Sequence, residues 1–154
     1  MNIKVHRGLE QIGGCITEIS TETSRVFIDM GQNLPGNGEV TTPEQDRKMV
    51  ESLFANNQKE HEAVFYTHGH EDHIGGMTSV FEKYDVESFY MPNATSNTKT
   101  FENMIKAVSN EGLKAKRINL KDMKRRSDLF WLYCKNLNAL AVTVLLNLTH
   151  SCRR

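Results

Sequence analysis

An apolar run leads directly into a cluster of histidines and acids in the stretch AVFYTHGHEDHIGG, residues 63–76. The first four residues are compact and apolar, which is typical of a short buried β-strand. The six residues from His68 to His73 then contain three histidines and two carboxylates. Gly75 and Gly76 follow, where the backbone can approach an anionic group closely. The stretch therefore predicts a strand that ends in a polar site.

Three extended segments precede this stretch along the chain. The last of them is a β-branched and aromatic run at residues 25–30, which Gly31 closes. Such runs, separated by glycine and polar turns, predict a meander of three strands. A helix is then expected to begin at Pro43, because Thr42 and Gln45 have the spacing of a capping box.

Helix and strand patterns also alternate after the stretch. We predict a helix over residues 74–83, a strand over residues 86–91, and a further helix that follows Asn97 and stops at Gly112. Strands and helices that alternate over short links are typical of an α/β sheet with helices packed on it. The sequence therefore predicts the α/β fold class.

The chain has the length and composition of one globular domain. It contains 154 residues, of which 38% are hydrophobic and 25% are charged, and this excludes a fibrous repeat or wholesale disorder. The first residues have no apolar stretch of the secretory type, so we expect a cytoplasmic location. We expect no membrane span, because polar residues interrupt the apolar segment at residues 129–148. A buried strand over residues 139–146 is expected there instead.

The charge changes sign along the chain. Residues 1–113 carry 9 basic and 17 acidic side chains, whereas residues 114–154 carry 10 basic and 2 acidic ones. A shift of this size indicates two segments of different character. We therefore divide the chain into a domain at residues 1–116 and a divergent basic segment at residues 117–154, for which we suspect truncation or a shifted reading frame.

The spacing of the polar cluster suits a metal site. Residues two apart in an extended loop point the same way, so His68 and His70 can present their imidazoles to one cation. The turn that follows directs Asp72 and His73 to a second cation close by. These ligands favour Zn²⁺, with Mn²⁺ or Fe²⁺ as alternatives, and two such ions can activate a shared water that Asp72 would orient. For any one histidine alone, the alternative is a solvated loop residue.

The pattern H-x-H-x-D-H at residues 68–73, after an apolar strand, resembles the metal-binding motif of the metallo-β-lactamase superfamily. An aspartate at a strand end followed by glycine, within residues 27–31, is similar to the first motif of that family. Residues 67–76 resemble ribonuclease J and its relatives, and residues 89–102 are more similar to the competence-protein-type hydrolases. Both branches act on nucleic-acid phosphodiesters, so the resemblance implies nucleic acid as a substrate.

The resemblance implies the fold of the family, an αβ/βα sandwich of two similar halves. It covers roughly residues 1 to 116 and therefore only the first half, so that the last ~40 residues are atypical. The second half normally supplies a further histidine, a bridging aspartate and a late histidine to the metals. His150, which precedes a serine as in some relatives, is the remaining candidate for a third ligand. The alternative is a solvated histidine near the chain end.

Asp29 is expected to act behind the metal ligands. Metal sites commonly need a carboxylate that hydrogen-bonds a ligating histidine and orients its ring. Asp29 ends its strand within the motif that resembles the family, which suits this role for the 68–73 loop. The alternative is a carboxylate that only stabilises a turn.

These observations together predict a metal-dependent hydrolase that directs a metal-activated water at phosphodiesters. A truncated, catalytically inactive fragment with an incomplete metal site is the alternative. A partner or a second copy of the chain, in a homodimer, could also supply the missing half. Lactam, thioester and lactone substrates stay open, because a fold does not dictate its reaction.

Overall fold

The computed structural model describes five parts of the chain, and for residues 92, 117, 118 and 148–152 only the main chain. The described parts are residues 1–34, 41–55, 59–92, 95–118 and 148–152. The strand predicted over residues 139–146 lies outside them. Among the described residues, no helix is both long enough and apolar enough to cross a membrane.

A four-stranded sheet carries the N-terminal part of the chain. Its strands are β1 (Asn2–Arg7), β2 (Ile16–Ser20), β3 (Ser24–Ile28) and β4 (His61–Phe65), in the spatial order β1-β2-β3-β4. The first three strands pair antiparallel, so the predicted meander is confirmed. β4 pairs parallel to β3. Two parallel neighbours end at the same edge of the sheet, and this brings the residues that follow β3 close to those that follow β4.

Helix α1 (Pro43–Ala55) connects β3 to β4, because parallel neighbours need a crossover. The predicted capping box is confirmed: Gln45 N donates to Thr42 Oγ1 at 3.2 Å, and Thr42 N donates to Gln45 Oε1 at 2.7 Å. The apolar face of α1 packs on the sheet, where the Phe54 ring lies 4.9 Å from the Phe27 ring, edge to face. The crossover helix therefore covers one face of the strand pair.

The segment after β4 is more broken than the sequence pattern predicts. Instead of one helix over residues 74–83 there are two, α2 (Glu71–Ile74) and α3 (Met77–Lys83), because Gly75 and Gly76 separate them. The backbone turns at these glycines, where a Cβ on Gly75 would lie 2.6 Å from Gln32 Cγ. The single strand expected over residues 86–91 is also two short strands, β5 (Tyr84–Val86) and β6 (Tyr90–Pro92).

The remaining elements complete an α/β arrangement, as predicted. Helix α4 (Lys99–Asn110) starts at a Thr98 cap, whose side chain accepts from Phe101 N, and Gly112 follows it with a φ of 76°. Strand β7 (Lys116–Ile118) pairs parallel with β6, and β8 (Leu148–Cys152) pairs antiparallel with β5. Members of a single core cluster come from the sheet, α1, α3 and α4; its largest fully buried side chains include Tyr66, Phe27, Phe81, Phe89, Ile16 and Met30.

Candidate metal centre

The ends of two parallel strands create the site. Asp29 follows β3 directly, and Thr67 lies two residues past the end of β4. Asp29 N donates to the Phe65 carbonyl at 2.6 Å, and Asp29 Oδ1 accepts from Thr67 N at 2.6 Å. The parallel pairing is thus extended by one side-chain contact beyond the sheet.

Asp29 has a backbone conformation that few residues adopt. Its φ is 62°, in the left-handed region, and its side chain is buried. Aspartate tolerates this region better than most residues, because its short polar side chain forms local hydrogen bonds. The conformation directs the carboxylate to the loop after β4, where Oδ2 contacts Thr67 Oγ1 at 3.0 Å and His73 Nδ1 at 2.7 Å.

Main-chain hydrogen bonds join the segment after Asp29 to the histidine loop. These bonds run from Met30 N to His73 O (2.8 Å), from Gln32 N to Glu71 O (3.1 Å) and from Gly76 N to Met30 O (2.7 Å). Together they pair residues 30–32 with residues 71–76 much as a short ladder would. The loop is therefore held by backbone contacts that do not depend on its own side chains.

Gly31 is required by this close approach. A Cβ at Gly31 would lie 1.7 Å from the Asp72 carbonyl oxygen and 2.8 Å from Cys15 N. The same Asp72 carbonyl accepts from Cys15 N at 3.2 Å, and Cys15 O accepts from Gly31 N at 3.0 Å. The glycine that closes the β3 motif thus makes room for the main chain that carries Asp72.

Three of the predicted ligands converge. His68, Asp72 and His73 each offer one ligand atom, and these atoms all lie within 4.8 Å of one another. His73 Nε2 lies 3.2 Å from Asp72 Oδ2, and the His68 and His73 rings are 3.9 Å apart between centroids. All three side chains are partly buried. The structure therefore groups His68 with Asp72 and His73, whereas the sequence pattern pairs it with His70.

His70 stands at the edge of this group. Its ring centroid is 4.7 Å from that of His68, with the two planes nearly perpendicular, and the residue is exposed. Its main-chain carbonyl accepts from His73 N at 3.0 Å and from Ile74 N at 2.9 Å, which starts helix α2. His70 thus has a local role in shaping the turn as well as an imidazole beside the cluster.

The pKa values of the two clustered imidazoles are shifted in opposite directions. Burial by itself lowers the pKa of His73, but the hydrogen bond and charge of Asp29, together with Asp72, outweigh it and raise that pKa above the ordinary 6.5. Burial and the adjacent His73 and His70 rings lower the pKa of His68 below 6.5. Burial, with Asp29 and Asp72 nearby, also raises the pKa of the Cys15 thiol.

The N-terminus of α4 supports the loop from the other side. Thr98 Oγ1 donates to the Gly69 carbonyl at 2.8 Å, and Thr100 Oγ1 donates to Glu71 Oε1 at 3.0 Å. A Cβ at Gly69 would lie 2.8 Å from the Ser96 Cβ, so the small residue allows this contact. Helical periodicity predicts α4 but does not show that its first turn touches the loop.

His150 lies on β8, whose main chain pairs with β5 in the register Tyr84 to Cys152 and Val86 to Leu148. Only the main chain of this strand is described, so the role of His150 as a third ligand stays a prediction.

Two residues near the ligands were not predicted as part of the site, Thr67 and Cys15. For Thr67 the sequence did contain a signal: a hydroxyl side chain directly before the first histidine of the cluster.

The donor set fits a divalent transition-metal ion. Imidazole nitrogens and a carboxylate oxygen are the ligands that Zn²⁺ takes at about 2.0–2.2 Å, and Mn²⁺ and Fe²⁺ accept them too. The carboxylate on His73 Nδ1 is the arrangement that orients ligating histidines in metal sites. The residues present therefore suit a metal ion, without fixing which one.

Comparison with known proteins shows the family of this chain. The sequence model that defines the metallo-beta-lactamase superfamily matches residues 35–133, which is more than half of the chain. The chain belongs to the metallo-beta-lactamase superfamily. The resemblance inferred from the histidine motif is thereby confirmed. The match also crosses residue 116, the domain boundary drawn from the sequence, and that boundary stays a prediction.

Curated relatives within this superfamily match part of the chain. Ribonuclease J of Mycoplasma pneumoniae is 44% identical over 96 residues, and ribonuclease J of Mycoplasma genitalium is 30% identical over 96 residues. Each alignment covers 58% of this chain and 16% of the relative. An RNase J-like protein of Methanocaldococcus jannaschii is 35% identical over 75 residues, which is 49% of this chain and 14% of that protein. The chain thus spans a small part of the length of these relatives.

Proposed function

We propose that this chain is a divalent-metal-dependent hydrolase that acts on nucleic-acid phosphodiesters. The observation that carries the proposal is the convergence of His68, Asp72 and His73, whose ligand atoms lie within 4.8 Å of one another. Two imidazoles and one carboxylate at such separations need only small movements to reach a common ion. Membership of the metallo-beta-lactamase superfamily supports the hydrolase class.

In this proposal His68, Asp72 and His73 hold a metal ion, with His70 beside them and His150 as a further candidate ligand. Zn²⁺ is the favoured ion, and Mn²⁺ and Fe²⁺ are alternatives. A bound divalent ion supplies Lewis-acid chemistry: it acidifies water and offsets negative charge on phosphate oxygens. A second ion would need ligands beyond the three that converge.

The residues around the ligands have separate tasks. Asp29 holds His73 through Nδ1, which leaves Nε2 directed to the cluster and to Asp72 Oδ2. The Asp72 main chain is held against Gly31 and Cys15, and its carboxylate Oδ2 lies 3.2 Å from His73 Nε2. In the proposed reaction the Asp72 carboxylate also accepts a hydrogen bond from the attacking water and orients it.

RNA is the substrate that we favour among nucleic acids, because two of the matched relatives are named ribonuclease J. The alternative function is a catalytically inactive fragment with an incomplete metal site. It is favoured by the size of the cluster, since within the described part of the chain three side chains converge. A homodimer in which a second copy completes the site is a third form of the proposal.

Metal retention followed by turnover tests these functions. The purified chain is loaded with Zn²⁺, dialysed, and its metal content measured for wild type, Asp72→Asn and His73→Ala. His61→Ala is the matched control, because His61 is a histidine with a 71% exposed side chain outside the cluster. We expect about one retained equivalent or more in wild type and the control, and little retained metal in the two site variants, because each variant alters one of the three converging ligand groups.

Turnover is then measured with bis(p-nitrophenyl) phosphate and with a labelled single-stranded RNA, with Zn²⁺ or Mn²⁺ present. Cleavage that is lost in Asp72→Asn and kept in His61→Ala would support the hydrolase. A folded wild-type chain that retains no metal and cleaves neither substrate would favour the inactive fragment. Sizing at micromolar concentration distinguishes the homodimer, since an active monomer would exclude the need for a second copy.

A further inference from the structure

The hydroxyl of Thr67 contacts three groups of the site at once. Its Oγ1 lies 3.0 Å from Asp29 Oδ2, 2.9 Å from His73 Nδ1 and 3.2 Å from His68 Nδ1. Its main-chain N also donates to Asp29 Oδ1 at 2.6 Å. Thr67 is partly buried, and its neutral hydroxyl differs from the imidazole and carboxylate groups of the cluster, which are the ligands that Zn²⁺ prefers. Its position therefore calls for a role other than metal binding.

The hydrogens at this hydroxyl can be assigned by counting donors and acceptors. A hydroxyl has one hydrogen to donate and two lone pairs that accept, and a carboxylate only accepts. The Thr67 O–H therefore donates to Asp29 Oδ2, and its lone pairs accept from the imidazoles. This requires a hydrogen on Nδ1 of His68, while His73 Nδ1–H is shared between Asp29 and Thr67.

A neutral imidazole with its hydrogen on Nδ1 has its free lone pair on Nε2. For His73 the direct contact with Asp29 at 2.7 Å is enough to fix this form. For the His68 ring, the hydrogen-bond contact within the described part of the chain is the one with Thr67 Oγ1, at 3.2 Å. The two histidines thus depend on the same carboxylate in different ways, one directly and one through the hydroxyl.

We propose that Thr67 is a positioning residue that carries the effect of the Asp29 carboxylate to His68. One buried carboxylate then holds both His68 and His73 in the Nδ1–H tautomer and turns both Nε2 lone pairs to the cluster. The inference rests on the proposed function only in that a metal ion is what these lone pairs would bind. The hydrogen-bond assignment itself is a property of the metal-free chain.

The side chain of Thr67 suits this role, because a β-branched residue has few χ1 rotamers and its oxygen keeps a fixed direction. Two variants separate the oxygen from the shape. Thr67→Ser keeps the hydroxyl and removes the methyl group, and Thr67→Val keeps the shape and removes the hydroxyl. Thr67→Ala, which also removes the oxygen, serves in place of Thr67→Val if that variant does not fold.

The tautomers of the metal-free protein provide the first test. With ¹⁵N-labelled histidine, long-range ¹H–¹⁵N spectra distinguish Nδ1–H from Nε2–H rings at a pH where both are neutral. We expect Nδ1–H at His68 and His73 in wild type and in Thr67→Ser. In Thr67→Val we expect His68 to move toward the Nε2–H form, while His73 keeps Nδ1–H through Asp29. Retention of Nδ1–H at His68 in Thr67→Val would overturn the proposal.

Metal affinity provides the second test, measured by competition for Zn²⁺ with a chromophoric chelator. Loss of an outer hydrogen bond to a ligating histidine weakens metal binding by about 10–100-fold. We expect a loss of this size in Thr67→Val and recovery in Thr67→Ser. Equal affinity in Thr67→Val and wild type would contradict the inference even if the enzyme turns over. A wild-type chain with the expected tautomers but no turnover would instead refute the proposed function and leave the role of Thr67 intact.

Discussion

The strand pair β3 and β4 has charged contacts at two places. The two places differ in whether their side-chain atoms remain available to bind a ligand. Near the start of the strands Arg25 and Glu62, which are opposite each other in the ladder, form a buried ion pair. Arg25 also donates to the Leu53 carbonyl at 2.9 Å and lies over the rings of Phe27 and Phe54. Just past the strand ends, Asp29 contacts Thr67 and His73.

The difference lies in the atoms that remain available. The guanidinium and carboxylate of the first pair face each other inside the core, at 4% and 6% exposure, so they can hold the strands in register but cannot reach a ligand. At the second place the buried carboxylate holds one edge of His73, while the opposite edge points to Asp72. The same two strands thus use charge for packing at one end and for orienting ligand atoms at the other.

The largest effect is expected from breaking the core pair. Glu62→Gln leaves the buried Arg25 guanidinium without a counter-charge, which costs about 3–5 kcal/mol of unfolding free energy. Urea unfolding measures it, and the double variant Arg25→Met with Glu62→Leu should recover much of the loss. The folded fraction of Glu62→Gln should bind Zn²⁺ as wild type does. A loss below about 1 kcal/mol, typical of an exposed pair, would contradict the structural role.

A smaller effect is expected from the equivalent change at the site. Asp29→Asn tolerates the left-handed backbone, but its amide has a single acceptor oxygen. It therefore cannot accept both from Thr67 N, as Oδ1 does, and from His73 Nδ1, as Oδ2 does, so Zn²⁺ affinity should fall by about 10–100-fold. The matched control is Glu18→Gln, which alters another carboxylate–histidine contact, from Glu18 to His6 at 2.7 Å. Equal losses in the two variants would show that the site has no special dependence on Asp29.

The Thr42 cap of helix α1 belongs to neither contact, so a change there serves as a control for both. Thr42→Ala removes the side-chain acceptor for Gln45 N and should cost about 1 kcal/mol of unfolding free energy, with no change in Zn²⁺ affinity. Thr42→Ser should retain most of the stability. An effect of Thr42→Ala on metal affinity would mean that α1 and the site are coupled, and the two ends of the strand pair would then not be independent.

The smallest effect is expected in the pH dependence of stability of the metal-free chain. The pKa of His73 is raised by Asp29 and Asp72 against the effect of burial, so its stabilisation is full below about pH 6.5 and is lost as pH rises through the folded pKa. The pKa of His68 is lowered by burial and by the adjacent imidazoles, so stability rises as pH increases toward about 6.5. These opposite slopes predict a stability maximum near pH 6.5.

Urea unfolding between about pH 5.5 and 8 checks this maximum. In Asp29→Asn the decline above pH 6.5 should be reduced, because the main source of the raised His73 pKa is removed. An unchanged decline in that variant would show that other groups cause it. The Glu62→Gln variant should keep the wild-type pH profile at lower overall stability.

Local patterns predicted several parts of the molecule well. The three-strand meander, the capping box at Thr42 and the helix after Asn97 depend on side-chain alternation, caps and periodicity, which act over a few residues. The breaks in the segment after β4 were not predicted. The two glycines that divide α2 from α3 are placed by contacts with Gln32 and Met30, which are remote in sequence.

The sequence by itself determined which residue types could bind a metal and that they lie in one short loop. The sequence also predicted Asp29 behind these ligands. Only the tertiary structure decided that His68 joins Asp72 and His73, and that the Thr67 hydroxyl contacts Asp29 and both histidines. The physical reason is the parallel pairing of β3 with β4, which brings together residues 38 positions apart at one edge of the sheet. The spacing of residues along the chain does not predict that contact.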